Sequence, residues 1–97
     1  MKRLTLVVKP FKVGAVVRAL VDTGATELTL TEARGYGRQK GHLDLYRDDS
    51  KHVTFLPKVR LECAVEDARL EAAIEAVTNA ARTGRIGDGK IFVEEIR

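Results

Sequence analysis

The feature that most constrains the fold is a change of hydrophobic period that occurs twice in the same order. In residues 3–9, Leu4, Leu6 and Val8 share one side while Arg3, Thr5 and Lys9 take the other, which is the alternation of a half-buried strand. Pro10 closes that strand and can open a helical turn. Val13, Val16, Val17, Leu20 and Val21 then fall on one stripe at helical spacing, so an amphipathic helix is predicted, with Gly24 as its C-cap. Alternation returns from Glu27 to Arg34, with Leu28 and Leu30 inward and Thr29 and Thr31 outward. Residues 35–52 have no period. Val53 to Val65 reads as a strand broken locally by Pro57, with Val59, Leu61, Cys63 and Val65 facing one way and Lys58, Arg60 and Glu62 the other. Asp67 is placed to cap a second helix striped by Leu70, Ala73, Ile74, Val77 and Ala81 and ended by Gly84. A last short strand spans Lys90 to Ile96.

This order, β-α-β, long loop, β-α-β, predicts an α+β chain of the ferredoxin-like βαββαβ type. It is a sandwich of one four-stranded antiparallel sheet with two helices on one face. With 97 residues the expected organisation is one domain, 1–97, carrying a long loop over about 37–54. The helix-free face mixes Thr5, Thr29, Arg60 and Glu62 with Val7 and Ala64, a composition suited to packing against other subunits. A folded chain is expected from 44% hydrophobic and 32% charged residues. No run approaches the ~20 apolar residues of a membrane span. The N-terminal apolar run is too short for a signal peptide and is interrupted at Lys9-Pro10, so a cytoplasmic location without membrane insertion is expected. Cys63 is the single cysteine and reads as a buried structural thiol.

Chemistry concentrates in two glycine-rich basic runs. In Gly35-Tyr-Gly-Arg-Gln-Lys-Gly-His42 three glycines interleave with Arg38, Gln39 and Lys40, and Thr83-Gly-Arg-Ile-Gly-Asp-Gly-Lys90 repeats the pattern near the C-terminus. Exposed backbone N–H groups with Arg and Lys between them form anion-binding concavities, so the two runs suggest one composite site for a phosphorylated ligand. Ordinary turns with solvated charges would share this composition, and neither run fits a Walker or dinucleotide fingerprint. The net charge of +3 fits an anionic ligand.

Over nearly its whole length the chain resembles the PII signal-transduction family. The resemblance rests on the collinear runs Val8-Lys-Pro-Phe-Lys12, Gly35 to His42, Leu45-Tyr-Arg47, Phe55-Leu-Pro-Lys58, and Ala80 to Phe92. It implies a homotrimer with ATP or ADP in each cleft between subunits. Gly35, Gly37, Arg38 and Gln39 would wrap the nucleotide from one side; Gly87, Asp88, Gly89 and Lys90 would cradle phosphates; Thr29, Glu62, Cys63 and Ala64 fall where the family holds the base. A small carboxylate effector such as 2-oxoglutarate would meet Gln39, Lys40, Gly41 and Lys58, with Gln39 also a hard oxygen ligand for an ATP-held Mg²⁺. The resemblance implies a regulator and not an enzyme, whose loop docks on a protein target such as a membrane transporter or metabolic enzyme.

Three positions depart from the family. Lys51 occupies the place of the loop tyrosine that relatives modify; the chain stops at Arg97, before a segment bearing further arginines; and Glu27 stands where glycine is common. These departures favour a second reading within the family, a sensor of bicarbonate together with adenine nucleotide, the anion using the basic pocket near Lys58 and Arg38. A basic RNA-binding module is the competing class. Three Phe, two Tyr and no Trp provide no aromatic platform for stacked bases, so no nucleic-acid partner is expected. His42, His52 and Asp44 lack a nucleophile in register and read as solvated loop residues.

Overall fold

β-Branched and leucine residues on alternate positions give the sheet its buried side, and the helical stripes cover it. The computed structural model describes residues 1–35, 56–84 and 88–96. They form β1 (Lys2–Val8), α1 (Val13–Asp22), β2 (Thr26–Gly35), β3 (Leu56–Val65), α2 (Leu70–Ala81) and β4 (Gly89–Glu95). The strands make one sheet in the order β2-β3-β1-β4, every neighbour antiparallel. This is the expected ferredoxin-like arrangement.

The core lies between the sheet and the two helices. Leu4, Leu6 and Val8 of β1 and Leu61, Cys63 and Val65 of β3 pack against Val16 and Leu20 of α1 and Ala73 and Val77 of α2. The stripe positions are therefore the buried ones, and Cys63 is a buried free thiol whose pKa burial pushes up. Leu30 was expected inward, yet it is 51% exposed. It lies on the helix side of the sheet, opposite Leu61, but on the edge strand β2.

Two helix ends show how local chemistry sets the boundaries. Gly24 has φ +89, its N–H donates to the Val21 carbonyl and that of Ala25 to the Leu20 carbonyl, the paired bonds of a Schellman motif. Asp67 does not cap α2. It lies in a 3-10 turn, Asp67–Arg69, and its carboxylate is 3.0 Å from the Met1 amine. Met1, which precedes β1, brings a full positive charge to the same end of the molecule, and that attraction stands in place of a cap bond. α2 ends at Ala81, before the expected Gly84, because Arg82 is extended (ψ 129) and the next two N–H groups turn to Asp88.

Candidate functional site

The helix-free face is ordered in rows that run across the sheet. Thr29, Glu62, Thr5 and Phe92 are consecutive cross-strand partners, and Thr31, Arg60, Val7 and Lys90 form the next row. One residue further along, Lys9 follows Val8 while Lys58 precedes Val59 and Asp88 precedes Gly89, so Lys58, Lys9 and Asp88 form a row of charges where β1 and β4 leave the sheet, while β2 and β3 stay paired as far as Gly35 and Leu56. From Glu62 to Lys58 along β3 is roughly 13 Å at the usual strand rise.

At one end of this face, Thr29, Glu62, Cys63 and Ala64 line a cavity of about 330 Å³ together with Arg3, Glu27 and Ile96. All four residues expected around a base are thus brought together. Glu27 is the one described non-glycine residue with positive φ, 55°, and it lies in the irregularity of β2 between Thr26 and Thr29. The left-handed region costs an L-residue with a Cβ about 1 kcal/mol, which explains why glycine suits this position. Glu27→Gly should raise stability by about 0.5–1 kcal/mol, the relief of strain being partly offset by a freer unfolded chain. The denaturant midpoint at fixed protein concentration reports it, and a lowered midpoint would contradict the assignment.

At the other end, a single carboxylate organises the turn that leads into β4. Asp88 Oδ2 accepts from the Thr83 N–H at 2.9 Å and from the Gly84 N–H at 3.1 Å. Asp88 Oδ1 accepts from the Thr83 hydroxyl and from Lys9 Nζ, the latter at 3.3 Å. Burial works to raise the Asp88 pKa, but the bonds from Thr83, Lys9 and Gly84 outweigh it and hold the carboxyl well below the usual carboxylate range. Lys9 Nζ also lies 3.4 Å from the Thr83 hydroxyl oxygen. Lys9 and Lys58 are each only 8% exposed. Burial and then the neighbouring Lys9 charge pull the Lys58 pKa down, against the opposing pull of Asp88.

Gly89 and Lys90 begin β4, an exposed edge strand, so the Lys90 ammonium stands at the rim of the sheet. Gly35 is the last residue of β2, paired with Leu56. Gly37, Arg38, Gln39, Lys40, Gly41 and Gly87 lie outside the described residues, as do the loop over 37–54 and Arg97. Sequence reasoning assigned no role to Lys9 or Thr83. The signal was present: Pro10 stops β1 one residue after Lys9, which fixes Lys9 in the terminal row.

A chain of this topology thus carries a cavity of about 330 Å³ at one end of the open sheet face and the Lys9–Asp88–Thr83 cluster at the other. A family profile described as nitrogen regulatory protein P-II matches residues 1–97. A nitrogen regulatory protein P-II of Rhodospirillum rubrum is 55% identical over 96 residues, covering 99% of this chain and 86% of the relative. That of Rhizobium meliloti is 53% identical over the same span, and the nitrogen regulatory protein GlnK of Escherichia coli K12 is 50% identical over 97 residues, 87% of its length. The chain belongs to the nitrogen regulatory protein P-II family. Among the described residues no helix is long and apolar enough to cross a membrane.

Proposed function

We propose that this chain is a cytoplasmic, non-enzymatic signalling protein that senses ATP and ADP together with a small carboxylate such as 2-oxoglutarate, and regulates a protein partner through its long loop. The observation that carries this reading is the placement of two half-sites on opposite edges of one sheet. Thr29 and the cavity it shares with Glu62, Cys63 and Ala64 belong to the β2 side. Gly89 and Lys90 belong to the β4 edge, three strands away, or roughly 14 Å across the sheet at ordinary strand spacing. Two copies placed edge to edge would bring the cavity of one against the β4 edge of the other. A closed ring of three subunits repeats that contact and gives three equivalent clefts.

In this cleft the base enters the Thr29–Ala64 cavity of one subunit, and the phosphates meet Gly87, Gly89 and Lys90 of the next, with Gly35, Gly37, Arg38 and Gln39 completing the wrap. Asp88 serves by shaping the turn, since a carboxylate facing a phosphate would repel it. ATP, ADP and effector then shift the loop between poses according to their differential affinity for each. A second reading is favoured by the two adjacent ammonium groups of Lys9 and Lys58, both nearly buried: a compact anion such as bicarbonate would be held there as effector.

Calorimetric titration with ATP, ADP and AMP tests the reading, repeated with 2-oxoglutarate plus Mg²⁺ and with bicarbonate. Lys90→Ala should weaken ATP by about tenfold, the loss of one charge-assisted contact. An unchanged affinity would remove the phosphates from β4, and absence of heat with any adenylate would remove the sensor function.

A further inference from the structure

A sheet-end lysine that is nearly buried, and whose ammonium holds a turn carboxylate, has a task beyond solubility. We propose that Lys9 is a positioning residue for the phosphate-binding turn. It does not touch the nucleotide; it fixes the direction in which residues 88–90 leave the turn. This rests on the reading of Gly89 and Lys90 as phosphate contacts.

The geometry is specific. Lys9 Nζ lies 3.3 Å from Asp88 Oδ1 and 3.4 Å from Thr83 Oγ1, so one ammonium contacts both ends of the 83–88 segment. Its backbone is fixed on both sides: β1 precedes it, fully paired through Val8, and Pro10 follows it at the start of a 3-10 turn. With 8% exposure the ammonium has little water to turn to. Asp88 is therefore held from the sheet by Lys9 and from the helix end by Thr83 and Gly84. Thr83 and Gly84 follow α2 closely, while Asp88 leads directly into Gly89 and Lys90. Without the Lys9 charge, the carboxylate keeps its helix-side donors and loses its bond to Lys9, so the turn has one tie fewer to the sheet, whose β1–β4 ladder begins only at Gly89. A ligand that needs a fixed set of N–H and ammonium groups loses affinity when these must be ordered on binding.

The test compares wild type, Lys9→Met, Lys9→Arg, Asp88→Asn and the double variant Lys9→Met/Asp88→Asn, each as the full chain. ATP, ADP and adenosine are titrated, and exchange of the Thr83 and Gly84 amides is followed by NMR. Lys9→Met should weaken ATP and ADP about tenfold and leave adenosine within about twofold, because only the phosphate end is displaced. Lys9→Arg should restore most of the loss. The double variant should be no weaker than the weaker single one, the mark of residues acting as one unit. Thr83 and Gly84 should exchange at least several-fold faster in Lys9→Met. Equal losses for adenosine and ATP would mean a general structural defect and would overturn the proposal, as would unchanged ATP affinity or additive single effects. If wild type binds no adenylate, the sensor reading fails by itself; the amide exchange still decides whether Lys9 orders the turn, and unchanged exchange would reject it.

Discussion

Replacing Gly89 by alanine should lower the stability of the fold by about 2–4 kcal/mol. Two effects combine. Gly89 has φ +147, a conformation that L side chains rarely adopt. A Cβ built there would also lie 2.5 Å from the Val7 carbonyl oxygen, a backbone atom that no rotamer change moves away. Gly89 pairs with Val8 at the start of the β1–β4 ladder, so relief requires β4 to begin later and its first rung to open. The functional consequence follows from position: the opened rung lies between Asp88 and Lys90, and the proposed phosphate contacts move with it. Urea unfolding at fixed protein concentration measures the loss, since any association of the folded chain adds a concentration term. ATP affinity should fall by more than tenfold in the same variant. By contrast, Gly14→Ala should be tolerated, because nothing lies within 4 Å of a Cβ added at that site. A fully stable Gly89→Ala protein would mean that Gly89 does not lie against the Val7 carbonyl oxygen as described.

The legible part of this fold is the part written in local period. Alternation located β1 and the inward side of β3, and the stripes of α1 and α2 named the residues that became the core. Gly24 announced its helix end because only glycine adopts its φ without strain. What escaped was set by charges that are distant in sequence. Asp67 had the right type for a cap, but Met1, brought to the same end of the sheet by β1, claims its carboxylate. Lys9 read as an outward polar residue of a half-buried strand; in fact its neighbours across the sheet are Lys58 and Asp88, the latter 79 positions away in the chain. Glu27 is the intermediate case. Its departure from a glycine position was visible in the sequence, and its positive φ supplies the physical reason. For the site, the four residues expected around a base line one cavity; of those expected around phosphates, Asp88, Gly89 and Lys90 are described and Gly87 is not.

Asp88→Asn should cost about 2–3 kcal/mol at neutral pH, with a pH dependence that identifies the cause. The carboxylate accepts from four donors: two backbone N–H groups, one hydroxyl and one ammonium. An asparagine of the same shape keeps one oxygen for these donors, turns an NH₂ toward the others, and leaves the Lys9 charge uncompensated in a site with little access to water. The sign of the pH effect follows from the lowered pKa of Asp88. A carboxyl whose folded-state pKa lies below its unfolded value, about 3.9, adds stability that is complete above that value. As pH falls from about 4 toward the folded-state pKa, the unfolded chain takes up the proton first and the contribution disappears. The wild-type stability curve should therefore drop more steeply than that of the variant below pH 4, and the two should converge in acid. Urea midpoints measured from pH 7 to pH 2 test this. Parallel curves would show that Asp88 is not ionised and bonded as described, and would remove the anchor on which the proposed role of Lys9 depends. Convergence would show that one buried-side carboxylate, held between a strand end and a helix end, sets the shape of the turn that leads into the β4 edge.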